Sequence, residues 1–265
     1  MVGKPFNSGV NSLTVKTVII KLGGSVITNK AIPYHFNAEI TRNLCQDLVT
    51  AGDRYVLVHG AGSFGHPLAK KYHLDQGFSG GTKDEKVKGA AQTHQSVRDL
   101  NGMVIHTLLD VGIPAVSLSP FLFFNSFFGT DLFSRIVEFG FTPVTFGDVV
   151  LRDNNITIYS GDFLMKKIAL ELNPKKAIFV TDVDGIFPDP GDTTKILTDT
   201  TLKEVEKVAL RGSSHTDVTQ GMAGKIKEIK DMVKRGIEVD IINGRKPQCL
   251  LNAIKGNAAG TRIRG

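Results

Sequence analysis

Tryptophan is absent from this chain, and cysteine occurs only twice, at Cys45 and Cys249. Two cysteines so far apart build neither a disulfide framework nor a metal knuckle, and a reducing, cytoplasmic setting is the simplest expectation. Long apolar runs are missing too. Even the segment from Phe121 to Phe128 is short and broken by Asn125 and Ser126, so no membrane span is expected. Residues 1–16 mix Gly, Pro, Asn, Ser and Lys without an apolar centre, and read as a loose extension rather than a signal peptide. Blocks of like charge are lacking: the net charge of +6 is spread along the chain. That balance suits anionic small molecules. Zinc-finger spacing and interleaved aromatic and basic residues are absent, which argues against a nucleic-acid partner. Neither repeats nor a low-complexity linker divide residues 17–265, which read as a single domain.

What is present is an alternation of strand-like apolar runs with segments of helical period, the pattern of βαβ units on a mainly parallel sheet. The strand candidates are Thr17–Leu22, Tyr55–His59, Pro114–Leu118, Thr142–Phe146, Ala177–Thr181, Ile237–Ile242 and Gly260–Ile263. Helical candidates lie near Asn37–Thr50, Pro67–Tyr72, Val87–Val111, Asp131–Phe139, Asp162–Leu172, Leu202–Leu210, Met222–Lys234 and Pro247–Ile254. Asp148–Tyr159 reads as a β-hairpin turning at Asp153-Asn154-Asn155. The expected fold class is therefore α/β.

In an open parallel sheet, ligands bind beyond the carboxyl ends of the strands, so polar and glycine-rich turns just after strands are where chemistry is sought. Four turns qualify. Lys21-Leu22-Gly23-Gly24-Ser25 ends the first strand, and a lysine inside its apolar run is costly unless the ammonium reaches an anion. His59-Gly60-Ala61-Gly62-Ser63-Phe64-Gly65-His66 follows the second; glycines there let backbone N–H groups approach a phosphate, and His66 adds a polar side chain at the rim. Ser160-Gly161-Asp162 follows the hairpin. Thr181-Asp182-Val183-Asp184-Gly185 sets two carboxylates after a buried strand, open to metal binding, nucleotide contact or turn capping. A fifth cluster, Gly221-Met222-Ala223-Gly224-Lys225, reads as the opening of a helix, where the Lys225 cation opposes the macrodipole unless an anion compensates.

Gly60-Ala61-Gly62 with Gly65 also spells G-x-G-x-x-G, the dinucleotide fingerprint of a dehydrogenase. The acidic partner expected about 20 residues on falls instead in a polar loop around Gly80–Lys88, and another strand already lies upstream. The G-x-x-x-x-G-K-[ST] spacing of a P-loop does not occur. His35, His73, His94, His106 and His215 lack metal-ligand spacing, and no protein-held metal site is expected. The phenylalanines from Phe121 to Phe133 read as core, with part of that surface available to line an apolar substrate pocket.

Taken together, Lys-Leu-Gly-Gly-Ser, the glycine turn, Ser-Gly-Asp, Thr-Asp-Val-Asp-Gly and Gly-Met-Ala-Gly-Lys resemble the amino-acid kinase superfamily, in order, over nearly all of residues 17–263. Lys21 to Lys30 with His-Gly-Ala-Gly-Ser-Phe-Gly-His is similar to its isopentenyl phosphate kinases, and His66 carries that distinction. A fosfomycin kinase branch is closely similar. One departure is Gln220, where a glycine is expected before Gly221.

The resemblance implies a three-layer αβα sandwich with a mainly parallel central sheet, usually a homodimer. ATP with Mg²⁺ would bind over the C-terminal half and isopentenyl phosphate over the N-terminal half. Lys21 and Lys225 would contact the transferring phosphate, Gly23, Gly24 and Ser25 would cradle it, and Lys30 would join them. Asp182, Phe187 and Gly221 would hold the nucleotide. Ala61, Gly62, Gly65, His66 and Gly161 would hold the acceptor phosphate. A kinase of another small phosphate or phosphonate and a non-catalytic nucleotide-binding module are the alternatives.

Overall fold

The first strand, β1 (Thr17–Leu22), sends alternate side chains to opposite faces. Ile20 and Leu22 enter one apolar cluster and Ile19 the other. Lys21 therefore shares its face with Ile19. This computed structural model describes residues 17–123, 131–189, 192, 194–212, 218–257 and 259–265; the expected extension at 1–16 lies outside them.

After β1 the chain runs through α1 (Gly24–Ile27), α2 (Ala38–Ala51), β2 (Arg54–His59), α3 (Gly62–Lys71), α4 (Lys83–Asp110), β3 (Ala115–Ser117) and α5 (Pro120–Phe123). It continues through α6 (Asp131–Glu138), β4 (Thr142–Phe146), β5 (Asp148–Arg152), β6 (Asn155–Tyr159), α7 (Gly161–Leu172) and β7 (Lys176–Thr181). The last elements are β8 (Asp199–Thr201), α8 (Leu202–Gly212), α9 (Val218–Lys234), β9 (Glu238–Asn243), α10 (Cys249–Ile254) and β10 (Gly260–Arg264).

Eight strands form one sheet in the order β3-β4-β2-β1-β7-β9-β10-β8. The six from β3 to β9 are mutually parallel, β10 runs antiparallel to β9, and β8 pairs parallel with β10. On one face pack Leu44 and Leu48 of α2, Leu100 and Val104 of α4, and Leu250 of α10. On the other pack Phe133 of α6, Leu164 and Ile168 of α7, Val205 of α8, and Ile229 of α9. These are the three layers of the expected αβα sandwich, with the sheet buried on both sides as its continuous apolar runs require. Fully burying one such aliphatic side chain contributes about 1.5–3 kcal/mol, and both Ile19 and Ile20 are wholly enclosed.

The β5–β6 hairpin pairs separately, and Asp153 and Asn154 take the positive φ values of 51° and 59° that suit a two-residue type I′ turn. Three helix starts lie more than two residues from expectation. α3 begins at Gly62, not Pro67, so the glycine turn is already the first turn of a helix. Pro67 has no N–H to offer the Ser63 carbonyl, and Tyr34 N–H donates there instead at 3.5 Å. α4 begins at Lys83, where Thr82 and Glu85 close a capping box ahead of the expected Val87. α9 runs from Val218, so Gly221 and Lys225 lie inside the helix rather than opening it. Strand β8 went unanticipated because Asp-Thr-Thr carries no apolar pattern; pairing with β10 makes it a strand.

Both cysteines are free and buried, and burial pushes the Cys45 thiol up to about 12. Among the described residues, no helix is long and apolar enough to cross a membrane.

Candidate active site

The parallel strands end together, and the turns that follow them line a cavity of about 1000 Å³. Lys21, Gly23, Gly24, Ser25, Lys30, Ala61, Gly62, Gly65, His66, Gly161, Asp182, Phe187 and Lys225 all border it. Gly221 lies on α9, four residues and about one helical turn before Lys225; Gln220, its neighbour, has a side chain outside the described residues.

The turns after β1 and β2 meet backbone to backbone. A Cβ on Gly24 would stand 2.5 Å from the Gly62 nitrogen, and one on Gly60 would stand 2.6 Å from the Gly24 nitrogen. Gly62 also needs its freedom for φ of 49°. Thr28 Oγ1 ties the turns together, donating to Gly24 O at 2.5 Å and accepting from Ser63 N at 3.0 Å.

Lys21 points from β1 toward α7 and α9, the helices that cover its face. There its Nζ meets Asp162 Oδ1 at 2.7 Å, and Lys225 Nζ reaches the same oxygen at 3.0 Å. Gly161 makes room, since a Cβ there would lie 2.9 Å from Lys21 Cε. Burial works against the Asp162 carboxylate, but the Lys21 and Lys225 ammoniums outweigh it and hold its pKa below the ordinary value. Burial and the Lys21 charge lower Lys225 to about 8, against the pull of Asp162. Two cations share one carboxylate, so the cluster carries one surplus positive charge facing the cavity.

A second group lies beside it. Ser25 Oγ donates to Asp182 Oδ1 at 2.7 Å, and Lys30 approaches Asp182 Oδ2 at 3.5 Å. Partial burial opposes ionisation of Asp182, yet the Ser25 hydrogen bond and the Lys30 charge keep its pKa low. Asp184 accepts from Asn243 and pairs with Lys246, each at 2.8 Å. Met222, Val208 and Phe187 give this side an apolar wall.

His66 is the fifth residue of α3 and stands exposed on the cavity wall. The surrounding protein and the Lys21 and Lys30 ammoniums lower its pKa below the usual imidazole value, which favours the neutral ring at neutral pH. Beyond it, Ala69, Val97, Val149 and Ile158 form an apolar wall. Among the described residues, neither Phe121 nor Phe133 of the expected phenylalanine lining borders it. Phe133 is fully buried in the core, Phe121 packs 5.0 Å from His94, and Phe124, Phe127 and Phe128 lie outside the described residues. His94, expected at a surface or helix-face position, donates from Nδ1 to Asp148 Oδ2 at 2.7 Å beside this wall.

Sequence reasoning noticed Ser160-Gly161-Asp162 as a turn and gave Asp162 no part. Its signal was positional: an acidic residue in the first turn of α7, two residues after the Ser160 N-cap. It also passed over the turn after β9, where Arg245 donates to Ser25 O at 3.1 Å; Asn243-Gly244 after an apolar run was the available cue.

The sequence model of the amino acid kinase family matches residues 16–243. An isopentenyl phosphate kinase of Methanothermobacter thermautotrophicus is 36% identical, over 94% of this chain and 99% of that protein. One of Arabidopsis thaliana is 34% identical over 71% of this chain and 64% of its own length. Among solved structures, an isopentenyl phosphate kinase superposes with a TM-score of 0.79 at 31% identity, over 93% of this chain and 99% of that one. The product complex of the Thermoplasma acidophilum enzyme gives 0.77 at 30%, over 94% and 100%. The family match over most of the chain, with relatives at this identity and superposition, assigns the chain to the amino acid kinase family, in its isopentenyl phosphate kinase group.

Proposed function

We propose that this protein is an ATP-dependent kinase that phosphorylates isopentenyl phosphate to isopentenyl diphosphate for isoprenoid biosynthesis. The observation that carries it is the Lys21–Asp162–Lys225 cluster, with its surplus positive charge, where two glycine turns touch. The relatives' names support the substrate, and the apolar wall beyond His66 suits a hydrocarbon tail.

The acceptor is a phosphate monoester with a second pKa of about 6, already largely dianionic near neutral pH. It needs no general base to become a nucleophile. One of its oxygens attacks the γ-phosphorus of ATP; a P–O bond forms there as the bond to the β-phosphate oxygen breaks, and ADP leaves. What the protein must supply is alignment and charge neutralisation. Lys21 and Lys225 sit against the transferring phosphoryl group. Asp162 holds their ammoniums side by side against mutual repulsion, and gives up part of that contact as phosphate oxygens arrive. Gly23, Gly24 and Ser25 cradle the phosphate, with backbone donors from Gly24 and Ser25 because the Gly23 N–H is already given to Val180 O at 2.8 Å, and Lys30 extends the positive wall.

Asp182, Phe187 and Gly221 hold the nucleotide over the C-terminal half of a single domain. Ala61, Gly62, Gly65, Gly161 and the N-terminus of α3 hold the acceptor phosphate over the N-terminal half, where His66 donates a hydrogen bond that orients it. Among the described residues no three metal-ligating side chains cluster. Mg²⁺ typically binds through substrate phosphates, waters and one or two carboxylates, and Asp162 or Asp182, both bordering the cavity, would hold it. Mg²⁺ would neutralise charge on the phosphates of the bound nucleotide. A cytoplasmic homodimer completes the reading. Met103 and Leu109, exposed on α4 beside edge strand β3, support the dimer, and sedimentation tests it.

A coupled ADP-release assay with isopentenyl phosphate, dimethylallyl phosphate and fosfomycin tests the activity. Turnover is expected with isopentenyl phosphate in excess of fosfomycin. No ADP release with any acceptor would leave a nucleotide-binding module instead. His66→Ala is expected to lose most turnover, and His66→Gln, which keeps a donor, to retain more.

A further inference from the structure

His59 has no part in the chemistry above, yet it stands where four strand-end turns meet. It closes β2 and is completely buried, its ring stacked on Phe146 at 5.4 Å and 18°. Its carbonyl accepts from Gly147 N at 3.0 Å, and a Cβ on Gly161 would lie 3.1 Å from that same oxygen. The next residue, Gly60, donates to Leu22 O at 3.0 Å and lies against Gly24.

The side chain is the informative part. Ser117 Oγ donates to Asn101 Oδ1, which leaves the Asn101 amide to donate to His59 Nε2 at 3.1 Å. Nε2 is then an acceptor, so the ring hydrogen sits on Nδ1 and points at Gly60 O, 3.1 Å away. Burial lowers the ring's pKa to about 4, so it stays neutral and this orientation holds across the physiological range.

A trans peptide sets its C=O and N–H on opposite sides, and none of the described peptides is cis. Once the Gly60 carbonyl is drawn inward to His59, the N–H of the same peptide unit, that of Ala61, must face away from the ring. Ala61 borders the cavity, and among the described residues no acceptor takes its N–H.

We propose that His59 is a positioning residue for the acceptor phosphate, a buried imidazole that fixes the Gly60–Ala61 peptide so that the Ala61 N–H is presented to the anion. It touches neither substrate. The proposal rests on the kinase reading for the identity of the acceptor, though not for the direction of the Ala61 N–H.

Two variants separate the donor from the ring. His59→Phe keeps a ring to stack on Phe146 and removes the hydrogen bond; His59→Asn places an amide where Nδ1 stood. One lost hydrogen-bond geometry at a charged ligand corresponds to about a tenfold change. His59→Phe is therefore expected to raise KM for isopentenyl phosphate about tenfold, leave KM for ATP within about twofold, and be largely rescued in His59→Asn. Unchanged acceptor KM in folded His59→Phe, equal losses for both substrates, or no rescue by Asn would overturn the proposal. Should His59→Phe fail to fold, Asn101→Leu, which frees the ring to change tautomer, must give the same acceptor-selective defect. A separate arm titrates the parent with inorganic phosphate and follows the Ala61 amide by NMR. A shift that disappears in His59→Phe sustains the proposal even if isopentenyl phosphate proves not to be turned over, and an Ala61 amide indifferent to phosphate in the parent refutes it.

Discussion

The fold contains two buried clusters of lysine, arginine and carboxylate, at opposite ends of the parallel strands. At the carboxyl ends, Lys21 and Lys225 share Asp162. Toward the amino ends, Lys176 meets Glu238 at 2.9 Å and Asp240 at 3.1 Å, while Arg262 meets Asp240 at 2.8 Å and Glu238 at 3.4 Å. In the second cluster Lys176 and Arg262 face two carboxylates, Arg264 and Asp199 extend it at the solvent edge in equal numbers, and Lys176 also donates to Ala253 O at 3.0 Å. In the first, one carboxylate serves two cations, and the group opens on a cavity. A closed, balanced cluster has nothing left to bind; an open, unbalanced one is incomplete until an anion arrives. The same residue types therefore serve structure at one end and ligand binding at the other.

The sharpest way to break that contrast is to remove one cation from the open cluster. Lys21→Met is expected to lower kcat about 10³- to 10⁵-fold, by analogy with cations that stabilise phosphoryl-transfer transition states. Its melting temperature should stay near the parent's, because a like-charge repulsion leaves with the ammonium. Parental turnover in the ADP-release assay would remove Lys21 from the mechanism. The complementary change is Asp240→Ala in the closed cluster. Leaving Lys176 and Arg262 without that carboxylate should cost about 3–5 kcal/mol in urea unfolding, with kcat of the folded fraction close to parental. A stability loss below about 1 kcal/mol, the range of exposed pairs, would contradict the structural role.

A smaller effect comes from pH. Lys225 has a folded-state pKa of about 8, below its ordinary 10.5. The folded protein thus resists protonating it: the penalty is complete below about pH 8 and is relieved as pH rises from 8 toward 10.5. Charge needed for ATP is lost over the same range. In the parent, kcat/KM for ATP should fall above about pH 8 while this contribution to stability rises. Both trends should be missing from Lys225→Met, and an alkaline fall that persists there belongs to another group. The smallest effect is expected at the solvent edge of the closed cluster. Arg264, half exposed, pairs with Asp199 at 2.6 Å and Glu238 at 2.9 Å, and Arg264→Ala should leave the urea midpoint close to the parent's, because solvent screens an exposed pair.

Much of this contrast was legible in the residues themselves. Lys21 stood out as a cation inside an apolar run, and the glycines at 23–24 and 60–62 marked where side chains had to be missing. Lys225 was recognised, but for a reason that the fold revises: it lies within α9, not at its start, and burial beside Lys21 sets its chemistry. Asp162 was not legible as a partner, because 141 residues separate it from Lys21 and only the packing of α7 across β1 joins them. The Lys176–Asp240–Arg262 cluster was hidden for the same reason, since its members belong to three strands. The phenylalanines from Phe121 to Phe133 stood out by their number, and Phe133 is core as expected, whereas the described part of the apolar wall comes from single residues of α3, α4 and the hairpin that no pattern marked. Periodicity reports which face of an element is apolar; it does not report what meets that face.

The contact between Gly24 and Gly62 has one further consequence. The two turns rest against each other with no side chain between them, and Thr28 pins the joint from the side. On the proposed reading, the gap across which a phosphoryl group would travel is set by the thickness of bare main chain, as a gauge block sets a machinist's clearance. Neither jaw can be padded or shaved by changing a side chain there, since any Cβ would push the jaws apart. Adjustment for bulkier or slimmer acceptors is left to the far wall of Ala69, Val97, Val149 and Ile158, which can be recut without altering the stroke.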